Sequence, residues 1–479
     1  MINKLKVNRS LLILLCLFFF QCKNSKEKES LPNVIFILAD DLGYGDLSCY
    51  GQTKFSTPNI DQLAKGGLVF TQHYAGSTVC APSRSALLTG LHTGHTFIRG
   101  NKEVDPEGQY PLPDSAYTMA EMFKAKGYAT GIFGKWGLGF PSSSGDPLKQ
   151  GFEVFMGYNC QRLAHNYYPP YLWHNDERIT IADNEGAKNG VYAPELIQKY
   201  ALEFIEANKS RPFFLYLPSV LPHAELAAPD NYMTKLRGKF EQGMAYNGVQ
   251  PSDKNYKTGG YSSQPEPRTA FAAMINVLDD QVGELVKKLK DLNVYDNTII
   301  VFTSDNGPHR EGGADPDFFN SNGTLRGYKR DLYEGGIRVP LIVHWPAKVK
   351  PGKTDHVSAF WDFVPTFSQL TNAAPLTTDG ISFAPTLLGL EAQQQQHPYL
   401  YWEFHEQGGK QAVREGRWKA VLLNAEQETP ILELYDLKND PSEQHNLAAS
   451  YPDSLIVLRS LMDSAHSANA AFPFSHEKN

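Results

Sequence analysis

Val34-Ile35-Phe36-Ile37-Leu38, followed by Ala39 and then by Asp40-Asp41, is an unbroken apolar run that ends in two carboxylates. A strand with one wet face alternates apolar and polar residues, so five apolar residues in succession fit a strand buried on both faces, and a parallel central sheet is implied. The pattern recurs downstream. Residues 118–126 read as a helix and 128–133 as a strand, then 194–207 as a helix and 213–217 as a strand. Phe271, Met274, Ile275, Leu278, Val282, Leu285 and Leu289 mark one face of a further helix, and a strand over 298–302 follows it. Helices and strands in alternation predict a doubly wound α/β fold.

The character changes at the glutamine tract 393–396, which reads as a surface linker because a run of polar residues builds no core. Beyond it, residues 399–404, 411–414, 418–423 and 431–435 read as short antiparallel strands, and 454–466 as a closing helix. The expected division is therefore a main α/β domain over 31–390 and a smaller α+β domain over 397–479. A chain of 479 residues is long enough for both.

The net charge of −7 is small for this length, so no field spreads over the whole surface to attract nucleic acid. An anionic substrate would need locally concentrated positive charge. At the start of the chain, Lys4, Lys6 and Arg9 precede an apolar run over 11–20 that is too short to span a bilayer, which is the layout of a signal peptide over 1–22. Cys22 and the polar stretch 23–30 behind it resemble a bacterial lipoprotein signal whose cysteine is lipidated, although Phe20 and Gln21 replace the usual small residues. The expected destination is the periplasm or the outer membrane of a bacterium, with simple secretion as the alternative to a lipid anchor at Cys22. Cys16 leaves with the signal. Cys49, Cys80 and Cys160 remain, their spacing fits no zinc pattern, and Cys49 and Cys160 either pair or stay as buried thiols.

In open α/β sheets the reactive groups lie beyond the carboxyl ends of the strands. Four apolar runs end in such groups: Asp40-Asp41 after the first, Gly134-Lys135 after the second, Pro222-His223 after the third, and Ser304-Asp305-Asn306-Gly307 after the fourth. Singly, each has an ordinary explanation as a helix cap, a turn or a surface charge. Together they are complementary. Three carboxylates and an amide oxygen are hard ligands for calcium or magnesium, and neighbouring cations would hold an anion beside that ion.

Cys80-Ala81-Pro82-Ser83-Arg84 precedes Ser85-Ala86-Leu87-Leu88-Thr89-Gly90, which reads as a helix with Pro82 in its first turn. A thiol at the positive end of a helix is either an activated nucleophile or a buried structural group. The segment resembles the type I sulfatase signature, and the resemblance to arylsulfatase A-like members of the alkaline-phosphatase-like superfamily runs along nearly the whole mature chain. It implies a large mixed or parallel sheet flanked by helices, with a smaller C-terminal antiparallel sheet and helix. It also implies that a formylglycine-generating or sulfatase-maturing enzyme oxidises Cys80 to formylglycine. Asp40, Asp41, Asp305, Asn306 and the converted side chain at 80 would hold Ca2+. Arg84, Lys135 within Gly134-Lys135-Trp136, His223, and Lys329 ahead of Tyr333-Glu334-Gly335-Gly336 would be the catalytic residues.

Sulfate-ester hydrolysis needs such groups because charge spreads over the sulfuryl and leaving oxygens, and each well-placed donor is worth roughly 3–4 kcal/mol. The implied reaction is in-line attack on sulfur by a hydroxyl of the formylglycine hydrate, with His223 protonating the departing alcohol. Loss of a proton from the second hydroxyl would then expel sulfate. The chain departs from the family pattern at one point: many members carry a histidine two residues after the lysine, where this sequence has Gly137. His92 and His95 are the candidates to replace it.

For the substrate, residues 161–170, with Arg162, His165, Asn166 and two tyrosines, read as a polar and aromatic binding loop, and 309–326, bounded by His309 and Arg326, as a second. The resemblance points to sulfated carbohydrates, with galactose or N-acetylgalactosamine sulfates first. The rival readings are a phosphodiesterase or phosphonate hydrolase of the same superfamily, and a glycan-binding lipoprotein that has lost catalysis.

Overall fold

The computed structural model describes residues 30–254, 256–474 and 477. The signal and lipid-anchor readings, from Lys4 through Cys22, lie outside the described residues. Among those described, no helix is long and apolar enough to cross a membrane.

The larger of two sheets is built from β1 (Asn33–Ala39), β2 (Leu68–Tyr74), β3 (Ala129–Lys135), β4 (Val154–Tyr158), β5 (Tyr171–His174), β6 (Glu177–Thr180), β7 (Phe213–Pro218), β8 (Thr298–Ser304), β9 (Arg338–His344), β10 (Gly352–Thr354) and β11 (Ser358–Ala359). Their order across the sheet is β10-β2-β9-β8-β1-β7-β3-β4-β5-β6, with β11 also on β2. Every residue of β1, β3, β7 and β8 is buried. These are the four strands whose ends the sequence marked as carrying reactive groups, and they stand side by side and parallel in the order β8-β1-β7-β3. At about 4.8 Å per strand, their carboxyl ends fall within about 15 Å of one another.

The flanks are antiparallel, which makes the sheet mixed: β9 runs against both β8 and β2, and β5 runs against β4 and β6. Pro340 sits inside β9, where a residue without an N–H is tolerated at an irregularity, and the pairing with β2 shifts register between Phe70 and His73 opposite it.

The second sheet contains β12 (Leu400–Phe404), β13 (Lys410–Glu415), β14 (Trp418–Leu423) and β15 (Ile431–Asp436), antiparallel in chain order. Its side chains divide with period two. Tyr401, Val413, Ala420, Leu422 and Leu434 pack on Leu458, Met462 and Ala465 of the closing helix Pro452–Ala465. Trp402, Phe404, Ala412, Val421 and Tyr435 face the other way, onto Tyr74, Val79, Ile337 and Trp361. The seam also holds buried ions: Lys419 Nζ lies 2.9 Å from both Glu334 and Glu443, and Arg99 lies 2.8 Å from Glu403. Residues 32–479 accordingly form one compact unit. The glutamine tract is exposed except at Gln394, whose side chain turns inward to accept from Thr386 and donate to Ser382.

Candidate active site

Cys80 opens the helix Cys80–Thr89, all of whose residues are buried. Val79 just before it is gripped by the second sheet, and Trp402 Nε1 donates to Ala75 O at 2.9 Å, so the smaller sheet buttresses the turn that presents Cys80. From the other side, Ala81 N donates to Asn101 Oδ1 at 3.0 Å and Ser83 Oγ donates to Asp305 O at 2.6 Å. The helix end is thereby locked to the end of β8.

The strand ends converge as their order dictates. Asp40 N donates to Leu221 O beyond β7, and Asp305 N donates to Ala39 O, which ties the ends of β7, β1 and β8 together. Successive residues of a strand point to opposite faces, yet Asp40 and Asp41 share one site because Asp41 adopts a left-handed φ of 63°, a conformation aspartate tolerates better than most residues. Its N–H donates to Asp305 Oδ1 at 3.1 Å, and its Oδ1 accepts from Asn306 Nδ2 at 2.6 Å.

The cations interleave with these acids. Lys135 Nζ lies 2.7 Å from Asp40 Oδ2 and 3.5 Å from Cys80 Sγ, and Sγ donates to Asp40 Oδ1 at 3.3 Å. Arg84 grips Asp305 Oδ2 with Nε at 3.1 Å and Nη2 at 2.9 Å, approaches Asp40 Oδ2 at 3.3 Å, and donates through Nη1 to Lys135 O. Lys329 Nζ donates to Asp41 Oδ2 at 2.8 Å and to His223 Nε2 at 3.1 Å. The His223 Nδ1–H donates to Ala224 O, which leaves Nε2 as the acceptor from Lys329. The His223 ring is stacked between His165 at 5.3 Å and His309 at 5.7 Å.

Burial and these neighbours set the protonation states. Burial, then Asp40, pushes the Cys80 thiol well above its ordinary pKa. Unmodified Cys80 is thus a protonated thiol that donates to a carboxylate, which is the opposite of an activated thiolate. Burial alone would raise Asp40, but Lys135, Arg84 and Lys329 outweigh it and hold the carboxyl well below the usual range. Asp305 goes the other way, pushed up to about 7 by burial and by Asp40. Burial, then Lys329, drives His223 well below an ordinary imidazole, so it stands neutral.

Asp40, Asp41, Asp305 and Asn306 fit a hard divalent cation. Three fully buried carboxylates crowd together, one of them forced toward its neutral form, and Asn306 Oδ1 is buried without a hydrogen-bond partner. Ligand atoms of Asp40, Asp41, Cys80 and His223 lie within 4.8 Å of one another. Three carboxylates already face three cations, Arg84, Lys135 and Lys329, so a divalent ion would leave the site net positive and ready for an anion.

Other residues singled out in the sequence distribute differently. His165 and His309 belong to the site: His165 Nδ1 donates to Gly259 O at 2.8 Å, while the ring nitrogens of His309 are taken by Pro222 O and Glu311 N. Asn166 is buried nearby with neither side-chain atom hydrogen-bonded. Arg326 does not join the set. Its guanidinium donates to Tyr435 OH and Glu443 O at 2.9 Å and lies over the Tyr333 ring, so it clamps the second sheet. His92 and His95 also stand apart, past the far end of the Cys80 helix and about 15 Å from its start. There they stack on each other and bind Asp379, and the His92 ring packs against Trp361 and Tyr401. They do not replace the histidine missing at Gly137. Arg330 and Tyr261 escaped the sequence reading, and Glu311 was covered only as part of the segment 309–326: Glu311 accepts from Tyr261 OH at 3.0 Å and pairs with Arg330 at 2.6 Å and Lys329 at 3.4 Å. Nothing in their spacing distinguishes them from surface residues.

The Sulfatase family model matches residues 32–373, and the model for the C-terminal part of N-sulphoglucosamine sulphohydrolase matches 327–464. The chain belongs to the sulfatase family. It is a sulfuric ester hydrolase. Human arylsulfatase A is 32% identical, with 92% of this sulfatase and 89% of the relative covered. The N-acetylgalactosamine-6-O-sulfatase of Bacteroides thetaiotaomicron is 30% identical, with 92% and 94% covered. Among solved structures, Ps i-CgsB in complex with k-i-k-neocarrahexaose superposes with a TM-score of 0.72 at 29% identity, covering 91% of this sulfatase and 93% of that chain. The family generally uses Ca2+ and formylglycine, and the buried acid cluster of this sulfatase is where such an ion would be held.

Proposed function

We propose that this sulfatase removes sulfate from carbohydrates, galactose and N-acetylgalactosamine sulfates first among them, after a maturing enzyme has converted Cys80 to formylglycine. The observation that carries the proposal is the position of Cys80: at a helix N-terminus, 3.3 Å from Asp40 and 3.5 Å from Lys135, beside a cluster of oxygen ligands. The names of two relatives support the substrate class, one an N-acetylgalactosamine-6-O-sulfatase and the other solved with a neocarrahexaose. In this reading residues 31–390 form the catalytic domain, and 397–479 the supporting one. Export follows the signal layout, to the periplasm or to the outer membrane through a lipid on Cys22.

Asp40, Asp41, Asp305 and Asn306 would hold Ca2+, which supplies positive charge to the sulfuryl oxygens, while formylglycine supplies the nucleophilic oxygen. Lys135 and Arg84 keep Asp40 ionised, Arg84 holds Asp305 in place, and with Lys329 they add positive charge where the transition state gathers negative charge. His223 handles the proton of the leaving oxygen. In the free site its Nε2 is unprotonated and faces Lys329, but a bound sulfate ester brings negative charge beside the ring and favours the imidazolium. His165 and His309 hold that ring in its plane, and Tyr261 and Glu311 close the wall behind Lys329.

The test is release of inorganic sulfate from a panel of galactose and N-acetylgalactosamine sulfates differing in sulfated carbon, beside a phosphodiester and a phosphonate monoester. Cleavage of at least one sugar sulfate is expected. Faster turnover of the phosphorus esters would favour the rival hydrolase, and binding without turnover by fully converted protein would favour a glycan-binding role. His223→Ala should cost about 100-fold or more on sugar sulfates, whose alkoxide leaving groups need a proton, and under tenfold on aryl sulfates, whose phenolates leave unaided. Equal losses on both would remove His223 from that role.

A further inference from the structure

We propose that Glu311 is a positioning residue of this sulfatase that competes with sulfate for Lys329: its carboxylate holds the lysine before substrate arrives, yields it to a sulfuryl oxygen, and takes it back as inorganic sulfate leaves. The proposal rests on the role given to Lys329 above and assigns one to a residue that reading leaves in the wall of the pocket. Lys329 Nζ has three N–H donors and three acceptors: Asp41 Oδ2 at 2.8 Å, His223 Nε2 at 3.1 Å and Glu311 Oε2 at 3.4 Å. The ammonium is therefore fully committed. It stands within reach of the reacting position, since a ring nitrogen of His223 and Cys80 Sγ lie within 4.8 Å of each other. To donate to a sulfate oxygen it has to release one partner, and the longest contact is the one to Glu311.

The Glu311 carboxylate has other donors waiting: Tyr261 OH at 3.0 Å on the same Oε2, and Arg330 Nη2 at 2.6 Å on Oε1. Released from Lys329, it is not left unpaired, which avoids the cost of a stranded charge. Its side chain is also 20% exposed where that of Lys329 is 3% exposed, so water reaches it. Main-chain bonds anchor the cations of the exchange. Lys329 N donates to Pro308 O at 2.9 Å, Arg330 N donates to Thr78 O at 3.1 Å, and Arg330 O accepts from Lys410 Nζ of the second sheet at 2.7 Å. Between those bonds Arg330 takes a left-handed φ of 77°, an unfavourable conformation for an arginine, and the consecutive cations Lys329 and Arg330 meet the two oxygens of one carboxylate. Burial would raise the Glu311 carboxyl, but Lys329 and Arg330 outweigh it, so Glu311 is ionised and repels a sulfate oxygen placed on Lys329. Arg84, Lys135 and Lys329 favour sulfate as product as much as in the ester, and a carboxylate that reclaims the lysine weakens the hold on the product.

The experiment compares wild type, Glu311→Gln, Tyr261→Phe and the double variant, all carrying converted residue 80. Two quantities are read: the inhibition constant of inorganic sulfate against an aryl sulfate, and the rise in unfolding temperature that sulfate produces. Glu311→Gln removes the competing charge and should tighten sulfate about tenfold, with KM for the ester falling alongside. Tyr261→Phe changes no charge. It takes the hydroxyl donor away from Glu311 Oε2, so Lys329 is held harder and sulfate should bind about threefold more weakly. In the Glu311→Gln background the same change should add less than about twofold, because its effect runs through the carboxylate. A merely structural role for Glu311 would weaken sulfate in both single variants. Glu311→Gln with unchanged or weaker sulfate binding would overturn the proposal, as would Tyr261→Phe acting equally in both backgrounds. A raised KM for a sugar sulfate with sulfate inhibition unchanged would assign Glu311 to the sugar and overturn it as well. Should converted wild type bind sulfate yet hydrolyse no ester, the proposed function falls, while the unfolding temperature in sulfate still decides the role of Glu311.

Discussion

Cys80→Ala should lower kcat on any sulfate ester by roughly 10⁴-fold or more, because no other group at the strand ends can replace the converted side chain. The unfolding temperature should stay within a few degrees of wild type. The substitution removes one buried sulfur atom, and Asp40, which loses the weak Sγ donor, keeps Lys135 at 2.7 Å and Arg84 at 3.3 Å. Enzyme assays beside a thermal melt separate the two effects. Turnover surviving above about 1% of wild type would point to a different nucleophile.

Arg84→Met should be damaging in both assays. Arg84 is fully buried and makes two contacts with Asp305 Oδ2, and breaking a buried pair by removing one partner costs about 3–5 kcal/mol, since the other charge is left unpaired. Turnover should fall about 10²–10³-fold as positive charge near the sulfuryl group is lost. The stability loss should be larger in chelator than in calcium, because a bound divalent ion would partly neutralise Asp305 in place of the arginine. Denaturant melts of both proteins with and without chelator measure this. A loss that does not depend on calcium would separate Asp305 from the metal site.

How much of this was legible in the sequence depended on burial. The strands β1, β3, β7 and β8 are buried on both faces and mostly apolar, and because they are adjacent their ends carried most of the candidate site: Asp40, Asp41, Lys135, His223, Asp305 and Asn306. The C-terminal strands were readable for the opposite reason, a clean alternation between the face on the closing helix and the face on the main sheet. The strand β2 was missed because its sequence turns polar after Phe70, and β9 because Pro340 argues against a strand unless the bulge opposite is known. With them went the antiparallel flank beside β8.

Loops were harder. Arg326, Lys329 and Arg330 lie within five positions, and nothing in their order shows that Lys329 turns into the acid cluster, Arg330 to Glu311 and Arg326 to the second sheet. Only the family resemblance singled out Lys329, the one of the three that reaches Asp41 and His223. His92 and His95 were drawn in by their closeness in sequence to Cys80, but ten helical residues carry the chain away from the site. The contact of Glu311 with Lys329 needs coordinates, since 18 positions separate the two residues.

The most direct measurement is mass spectrometry of the proteolytic peptide containing position 80, from protein co-expressed with a sulfatase-maturing enzyme. The expected spectrum shows the peptide lacking the mass of hydrogen sulfide and carrying one added oxygen, in a fraction that rises with specific activity. An unmodified cysteine in fully active protein would contradict the proposed chemistry.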